Sequence, residues 1–383
     1  MAVIAKTPGA TATPPAGEPP MLQILREDGS IDSTLDPRLS TEELKRLYRA
    51  MLQLRIFDTR MLLLQRSGRI GFYGTAMGQE ASTIGTAYPL QDEDWIFPAL
   101  REGGTLALRK YPIRLMVAQL IGNAIDACKG RQMPCHYTDR DRKYVAMSSV
   151  IATQFPQAVG AAMAAKIRGD KVVVMGYIGD GGTSAADFHA AMNFAGVFKP
   201  PVVLVCQNNQ WAISVPVCAQ TASETIAQKA VAYGMEGVRV DGNDILAVVT
   251  ASRKAIEKAR AGGGPTFIEC VTYRRLGHSS SDDPARYRDA AEVKAWEEKD
   301  PIERFRRYLA NKNIWTDAWQ KQLETEINDE ITAGVREGEA AGPPPVSTMF
   351  DDVFKEVPPV IEEQRQDLLR QDEAKKGDGA FPL

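Results

Sequence analysis

Two periodicities divide the chain. Leu44, Leu47, Met51, Leu54 and Met61 keep helical spacing, so one stripe of a long helix faces the interior. Ahead of it Ser40-Thr41-Glu42-Glu43 reads as a capping box, with Ser40 as N-cap and Glu43 reaching back, and Gly68 is the expected stop. From Tyr144 onward the pattern changes to short apolar runs alternating with helical stretches. Strands are expected at Tyr144–Met147, Val172–Tyr177, Val202–Gln207, Val238–Val240 and Thr266–Tyr273. Between them fall helices Gln154–Arg168, closed by Gly169, then Ser184–Phe198, broken by Pro200-Pro201, and Asp244–Arg260, closed by the Gly262–Gly264 turn. Strands that are apolar on both faces need helices on both. The pattern therefore predicts an α/β fold: a doubly wound parallel sheet with helices on both faces, plus N-terminal and C-terminal helical extensions.

Four stretches follow: a disordered lead-in at 1–20, a helical region at 21–115, an α/β core at 116–290 and a helical extension at 291–383. Charged amphipathic helices fill 301–340 until Gly342-Pro343-Pro344-Pro345 breaks them, and the tail after 372 is expected to fray. No internal repeat is visible.

Composition narrows the class. The 383 residues carry a net charge of −3, against a nucleic-acid-binding face. No apolar run approaches the roughly 18 residues of a membrane helix. Five scattered cysteines without a CxxC pair read as free thiols in a reducing compartment. The Ala-, Thr- and Pro-rich start has neither the apolar centre of a secretory signal nor an Arg-rich transit pattern. The expected compartment is the bacterial cytoplasm. His136 beside Cys135 lacks the second ligand pair of a zinc site and reads as an ordinary loop residue, and His189 falls on a helix between two strands.

The chemistry concentrates between 179 and 211. Gly179-Asp180-Gly181-Gly182 ends one expected strand, and Asn208-Asn209-Gln210-Trp211 ends the next. A right-handed crossover leaves both loops at the same carboxyl edge of the sheet, where ligands bind. One carboxylate, amide oxygens and free carbonyls are hard donors of the kind Mg²⁺ takes, with phosphate and water oxygens completing its octahedron. The glycines and the helix start beyond them favour a diphosphate. A dinucleotide fingerprint fails because Ser184 stands where its third glycine belongs, and no GK[ST] forms a Walker A loop. Taken singly, each dipeptide is an ordinary turn. Their placement on successive strands is what points to a site.

Gly179-Asp180-Gly181 followed by Asn208-Asn209 after 26 intervening residues matches the thiamin diphosphate motif. The stretch 187–214 resembles the alpha subunit of the E1 component of thiamin diphosphate-dependent 2-oxoacid dehydrogenases. GQEA at 78–81, KGRQMP at 129–134, SSxxATQ at 148–154 and YRxxGHSxSDDPxxYR at 273–288 follow in that family's order. KGRQMPCHY, RVDGND and HSSSDD lean toward its branched-chain members.

The resemblance implies that Asp180, Asn209 and the Trp211 carbonyl hold Mg²⁺, with Gly179, Gly181 and Gly182 around the cofactor. It implies that Arg101 grips the diphosphate, that Ser149 and Ile151 line the cofactor rings, and that Ser148, Thr153 and Gln154 hold K⁺. His278 becomes the catalytic histidine beside the diphosphate and reactive carbon. Two departures stand out: Leu100 where relatives often carry Tyr, and Ser184-Ala185-Ala186-Asp187 where Ser-Glu-Gly-Asp is common. Further implied are a beta subunit in an α2β2 heterotetramer, supplying the activating glutamate, and an E2 lipoyl acyltransferase that receives the acyl group. Pyruvate is the alternative substrate. A single-chain thiamin diphosphate decarboxylase is opposed by the lack of a second αβ series after 290, and a non-enzymatic subunit by retention of Asp180, Asn209 and His278. In relatives a serine matching Ser279 is a kinase target, where a phosphate would repel the diphosphate. The polar loop 275–288 is expected to order when the cofactor binds.

Overall fold

The stretch Val202–Asn208 shows how the sheet is built. Val203 and Val205 turn into one apolar core while Val202, Leu204 and Cys206 turn into another, and all five are fully buried. A strand enclosed in this way needs helices on both faces. That is the arrangement in the computed structural model, which describes residues 20–375.

In chain order the strands are β1 (Met21–Leu22), β2 (Trp95–Phe97), β3 (Val174–Gly179), β4 (Val202–Asn208), β5 (Trp211–Ala212), β6 (Val215–Pro216), β7 (Glu236–Asp241) and β8 (Thr266–Val271). Six form one parallel sheet in the order β1-β7-β8-β4-β3-β2, and β5 with β6 makes a small antiparallel hairpin. The helices are α1 (Thr41–Arg66), α2 (Glu80–Ala87), α3 (Thr105–Leu108), α4 (Ile113–Ile121), α5 (Gln154–Arg168), α6 (Ala186–Phe198), α7 (Ile245–Arg260), α8 (Ala290–Glu297), α9 (Pro301–Asn311), α10 (Asp317–Ala340) and α11 (Pro359–Lys375). α5 and α6 contribute Phe155, Ala158, Phe188 and Met192 to the smaller core. α1, α2, α7, α9 and α10 build the larger one. The expected doubly wound α/β fold is thus observed.

Local chemistry sets the element ends. Ser40 Oγ accepts the Glu43 N–H at 3.3 Å while Glu43 Oε2 accepts the Ser40 N–H at 2.8 Å, the expected reciprocal cap. Gly169 closes α5 at φ 76°, a left-handed position suited to glycine. Asp244 caps α7 by accepting from the Leu246 and Ala247 N–H groups, both at 3.0 Å.

The expected strand at Tyr144–Met147 does not form. Ile96 donates to the Lys143 carbonyl and accepts from the Val145 N–H, and pairing ends there as a single bridge. The next donor would be Pro98, which has no N–H. The sheet's two edges, β1 and β2, went unforeseen because runs of two and three residues carry no period. The helix expected from Ser184 begins at Ala186, after a 3₁₀ turn over Asp180–Ser184. The expected disorder at 1–20 lies outside the described residues up to 19, and the frayed tail does so from 376. Among the described residues no helix is long and apolar enough to cross a membrane.

Candidate functional site

Three adjacent strands, β3, β4 and β8, end at one edge of the sheet, the edge that binds ligands in such folds. Gly179 pairs with Gln207 across β3 and β4, so Asp180 and Asn208 leave the sheet side by side. Asp180 is 2% exposed. Its carboxylate accepts from Gln220 Nε2 at 3.0 Å and from the Asn209 N–H, yet burial still raises its pKa. A desolvated carboxylate of this kind gains strongly from a cation. Asn209 Oδ1 accepts the Trp211 N–H at 3.3 Å. The Trp211 carbonyl accepts from Arg274 Nη1 at 2.8 Å and retains a second lone pair. One carboxylate, one amide oxygen and one carbonyl make a donor set suited to Mg²⁺. The site also leaves room for an anion: a Cβ at Gly179 would meet nothing, whereas Ala212 and Ile178 crowd the positions a Cβ would take at Gly181 and Gly182. Their bare backbone can approach a phosphate.

Across the cleft stands Arg101, 7% exposed. Its Nη1 donates to the Thr75 carbonyl, and its Nη2 to the His278 carbonyl at 2.7 Å. The same Nη2 lies 3.3 Å from His278 Nδ1. A guanidinium only donates, so Nδ1 accepts and the imidazole proton rests on Nε2. Burial, then the charges of Arg101 and Arg274, push the His278 pKa down to about 4. The ring is therefore neutral at pH 7 and offers an N–H. Its loop is held by polar contacts: Asp282 accepts the His278 N–H at 2.6 Å, and Ser280 exchanges hydrogen bonds with the backbone of Tyr73. These replace the apolar anchors that the loop lacks.

The third wall is the 148–154 turn, whose Ala152 has a left-handed φ of 69°. Ile213, in the β5–β6 turn, has φ 55°, unusual for a β-branched residue and maintained by its surroundings. Gln154 Nε2 donates to the Tyr177 carbonyl at 2.7 Å, while its buried Oε1 has no partner. That free oxygen suits a cation. His136 lies in a loop, as expected, and is buried there. Its Nδ1 meets the Pro134 carbonyl at 3.1 Å and so carries the proton, leaving Nε2 to accept from Ser149 Oγ at 2.7 Å.

Together these walls enclose a cleft of about 680 Å³. Every expected site residue lines it except Thr153, at the start of α5. Expectation missed Gln79, Arg274, Gln220 and His136, all of which line it too. By sequence His136 is weighed only as a zinc ligand, Gln79 and Arg274 lie inside the GQEA and YRxxGHS motifs without a role of their own, and nothing local distinguishes Gln220. His189 points instead to the Tyr233 hydroxyl.

A doubly wound parallel α/β sheet with a polar cleft at its carboxyl edge is the architecture of a ligand-binding α/β protein. The sequence model described as "Dehydrogenase E1 component" matches residues 48–347. The chain is 40% identical over 355 residues to 2-oxoisovalerate dehydrogenase subunit alpha of Pseudomonas aeruginosa, covering 91% of this chain and 87% of that protein. It is 39% identical over 353 residues to the mitochondrial 2-oxoisovalerate dehydrogenase subunits alpha of Mus musculus and Homo sapiens, covering 92% of this chain and 80% and 79% of theirs. The chain belongs to the dehydrogenase E1 component family, among the alpha chains of 2-oxoacid dehydrogenases.

Proposed function

We propose that the cleft binds thiamin diphosphate with Mg²⁺ and that the chain serves oxidative decarboxylation of branched-chain 2-oxoacids. The carrying observation is the meeting of Asp180, Asn209 and the Trp211 carbonyl with Arg101 and His278 around one cleft. Asp180, Asn209 and Trp211 are the metal ligands, and Arg101 takes the diphosphate with its remaining guanidinium N–H groups. Gly179, Gly181 and Gly182 admit it, and Ser149 and Ile151 face its rings. Once bound, the cofactor supplies the carbanion and the electron sink for loss of CO₂. His278, the catalytic residue, donates from Nε2 to charge developing beside the diphosphate and exchanges a proton there. Ser148, Thr153 and the unpartnered Gln154 Oε1 are assigned to K⁺.

Val150 and Ile151 are each 65% exposed at the cleft rim, which supports a beta subunit closing it in an α2β2 assembly, with the acyl group passing to the lipoyl group of an E2 acyltransferase. The similarity to 2-oxoisovalerate dehydrogenase alpha subunits favours 2-oxoisovalerate over pyruvate. Five free cysteines accord with a reducing bacterial cytoplasm. The test co-expresses the chain with a beta chain. The complex is expected to turn over 2-oxoisovalerate faster than pyruvate, and the chain alone neither. Asp180→Ala or Asn209→Ala should weaken Mg²⁺-dependent thiamin diphosphate binding at least roughly a hundredfold, about 3 kcal/mol, by calorimetry. Turnover by the chain alone would favour the single-chain decarboxylase. Unchanged affinity in both variants would remove the metal assignment.

A further inference from the structure

Gln79 is completely buried, yet its side chain lines the cleft. Its Oε1 accepts from Asn209 Nδ2 at 3.1 Å, linking residues 130 apart in sequence. Its Nε2 is buried without a partner. The orientation of both amides follows from donors and acceptors alone. The Trp211 N–H can only donate, so the Asn209 atom 3.3 Å away must be its oxygen. Asn209 Nδ2 then points the other way and needs an acceptor, which only the oxygen of Gln79 provides. Turning Gln79 over would set two N–H groups against each other.

The turn that carries Gln79 is held from several sides. Gly78, at φ 94°, has no room for a Cβ against the Tyr273 carbonyl. Thr272 Oγ1 donates to the Gly78 carbonyl at 3.0 Å, and the Arg275 N–H to the Met77 carbonyl at 3.1 Å. Glu80, next along, accepts the Gly78 N–H and pairs with Arg55, which also pairs with Asp300 at 2.9 Å. Gln79 is thus a fixed prop.

We infer that Gln79 is a positioning residue for the metal: its oxygen holds the Asn209 amide so that Oδ1, rather than Nδ2, faces the cation. This rests on the assignment of Asn209 as a Mg²⁺ ligand. An amide free to turn would present N–H donors to a cation in half its orientations. Gln79 touches no reacting atom in this role and acts through Asn209. What it must supply is an acceptor, so a carboxylate at this position serves as well as an amide, and an apolar side chain of equal length does not.

The test titrates Mg²⁺ into the assembled complex at saturating thiamin diphosphate, read by calorimetry and by the fluorescence of Trp211 and its neighbours. Gln79→Met should weaken Mg²⁺ binding roughly tenfold, the worth of about one hydrogen bond. Gln79→Glu should stay within about threefold of the wild type. In an Asn209→Ala background, Gln79→Met should change nothing further, because the amide it orients is gone. Equal Mg²⁺ affinity in wild type and Gln79→Met, or an equally large loss in Gln79→Glu, overturns the inference. If Gln79→Met does not fold, the Glu variant decides alone: retained affinity supports the role and a tenfold loss overturns it. Absence of Mg²⁺-dependent binding in the wild-type complex would instead overturn the metal site itself.

Discussion

At the floor of the cleft Asp180 and Asn209 are 2% and 7% exposed and tied into a hydrogen-bond network; at its rim Val150 and Ile151 are each 65% exposed and touch little. The floor is polar and braced: Gln79 bonds to Asn209, Gln220 to Asp180 and Arg274 to the Trp211 carbonyl. The rim is apolar and open, and Ile213 and Val215 extend it. Preorganised oxygen donors are expected where a cation binds, since their alignment then costs nothing on binding. Exposed apolar side chains beside them suit a surface that a second chain covers. Under the proposed function, the contrast is that this chain supplies one end of the site and a partner closes the other.

The comparison can be broken most severely at Arg274. It is 1% exposed and donates to the Trp211 carbonyl, the Ile213 carbonyl and the Tyr287 hydroxyl. Arg274→Met should leave these acceptors unpaired and destabilise the chain by about 3 kcal/mol, seen as a lower urea midpoint. A midpoint equal to the wild type would mean that the floor is not braced as described.

A second effect follows pH. His278 is pushed down to about 4 in the folded chain, against about 6.5 when unfolded. Above the unfolded value both states hold the ring neutral and it contributes nothing. Between the two values the unfolded state binds the extra proton, so stability falls as pH drops from about 6.5 to 4 and is level below that. His278→Gln should flatten this segment. An anion in the cleft opposes the charges of Arg101 and Arg274, so inorganic diphosphate should raise the His278 pKa. With only three histidines in the chain, proton NMR can follow it, and a pKa near 6.5 without ligand would contradict the buried, cationic setting.

The smallest effect belongs to the rim. Ile151→Ala should alter the stability of the isolated chain by no more than about 0.5 kcal/mol, because little is buried there. In the assembled complex it should weaken both cofactor retention and subunit association, measured by dilution and gel filtration. Equal association by the variant would leave the rim without the role given to it.

Much of this was legible along the chain. The Ser40–Glu43 cap, the Gly169 stop and the Asp244 cap are interactions between residues a few positions apart, and local steric and hydrogen-bonding rules suffice for them. The β3–β4 unit was equally legible, because a parallel crossover has one handedness and brings Asp180 and Asn209 to one edge whatever surrounds it. Tertiary structure alone decided the rest. Gln79 meets Asn209 across 130 positions, and Arg274 meets Trp211 across 63. His136 is buried against Ser149 although its neighbours read as a loop. The single bridge at Tyr144 stops at Pro98 only because Ile96 happens to lie beside it. Such contacts depend on how loops from separate strands pack together. A one-dimensional pattern records which groups need partners, and only the packed fold settles which partner each one finds.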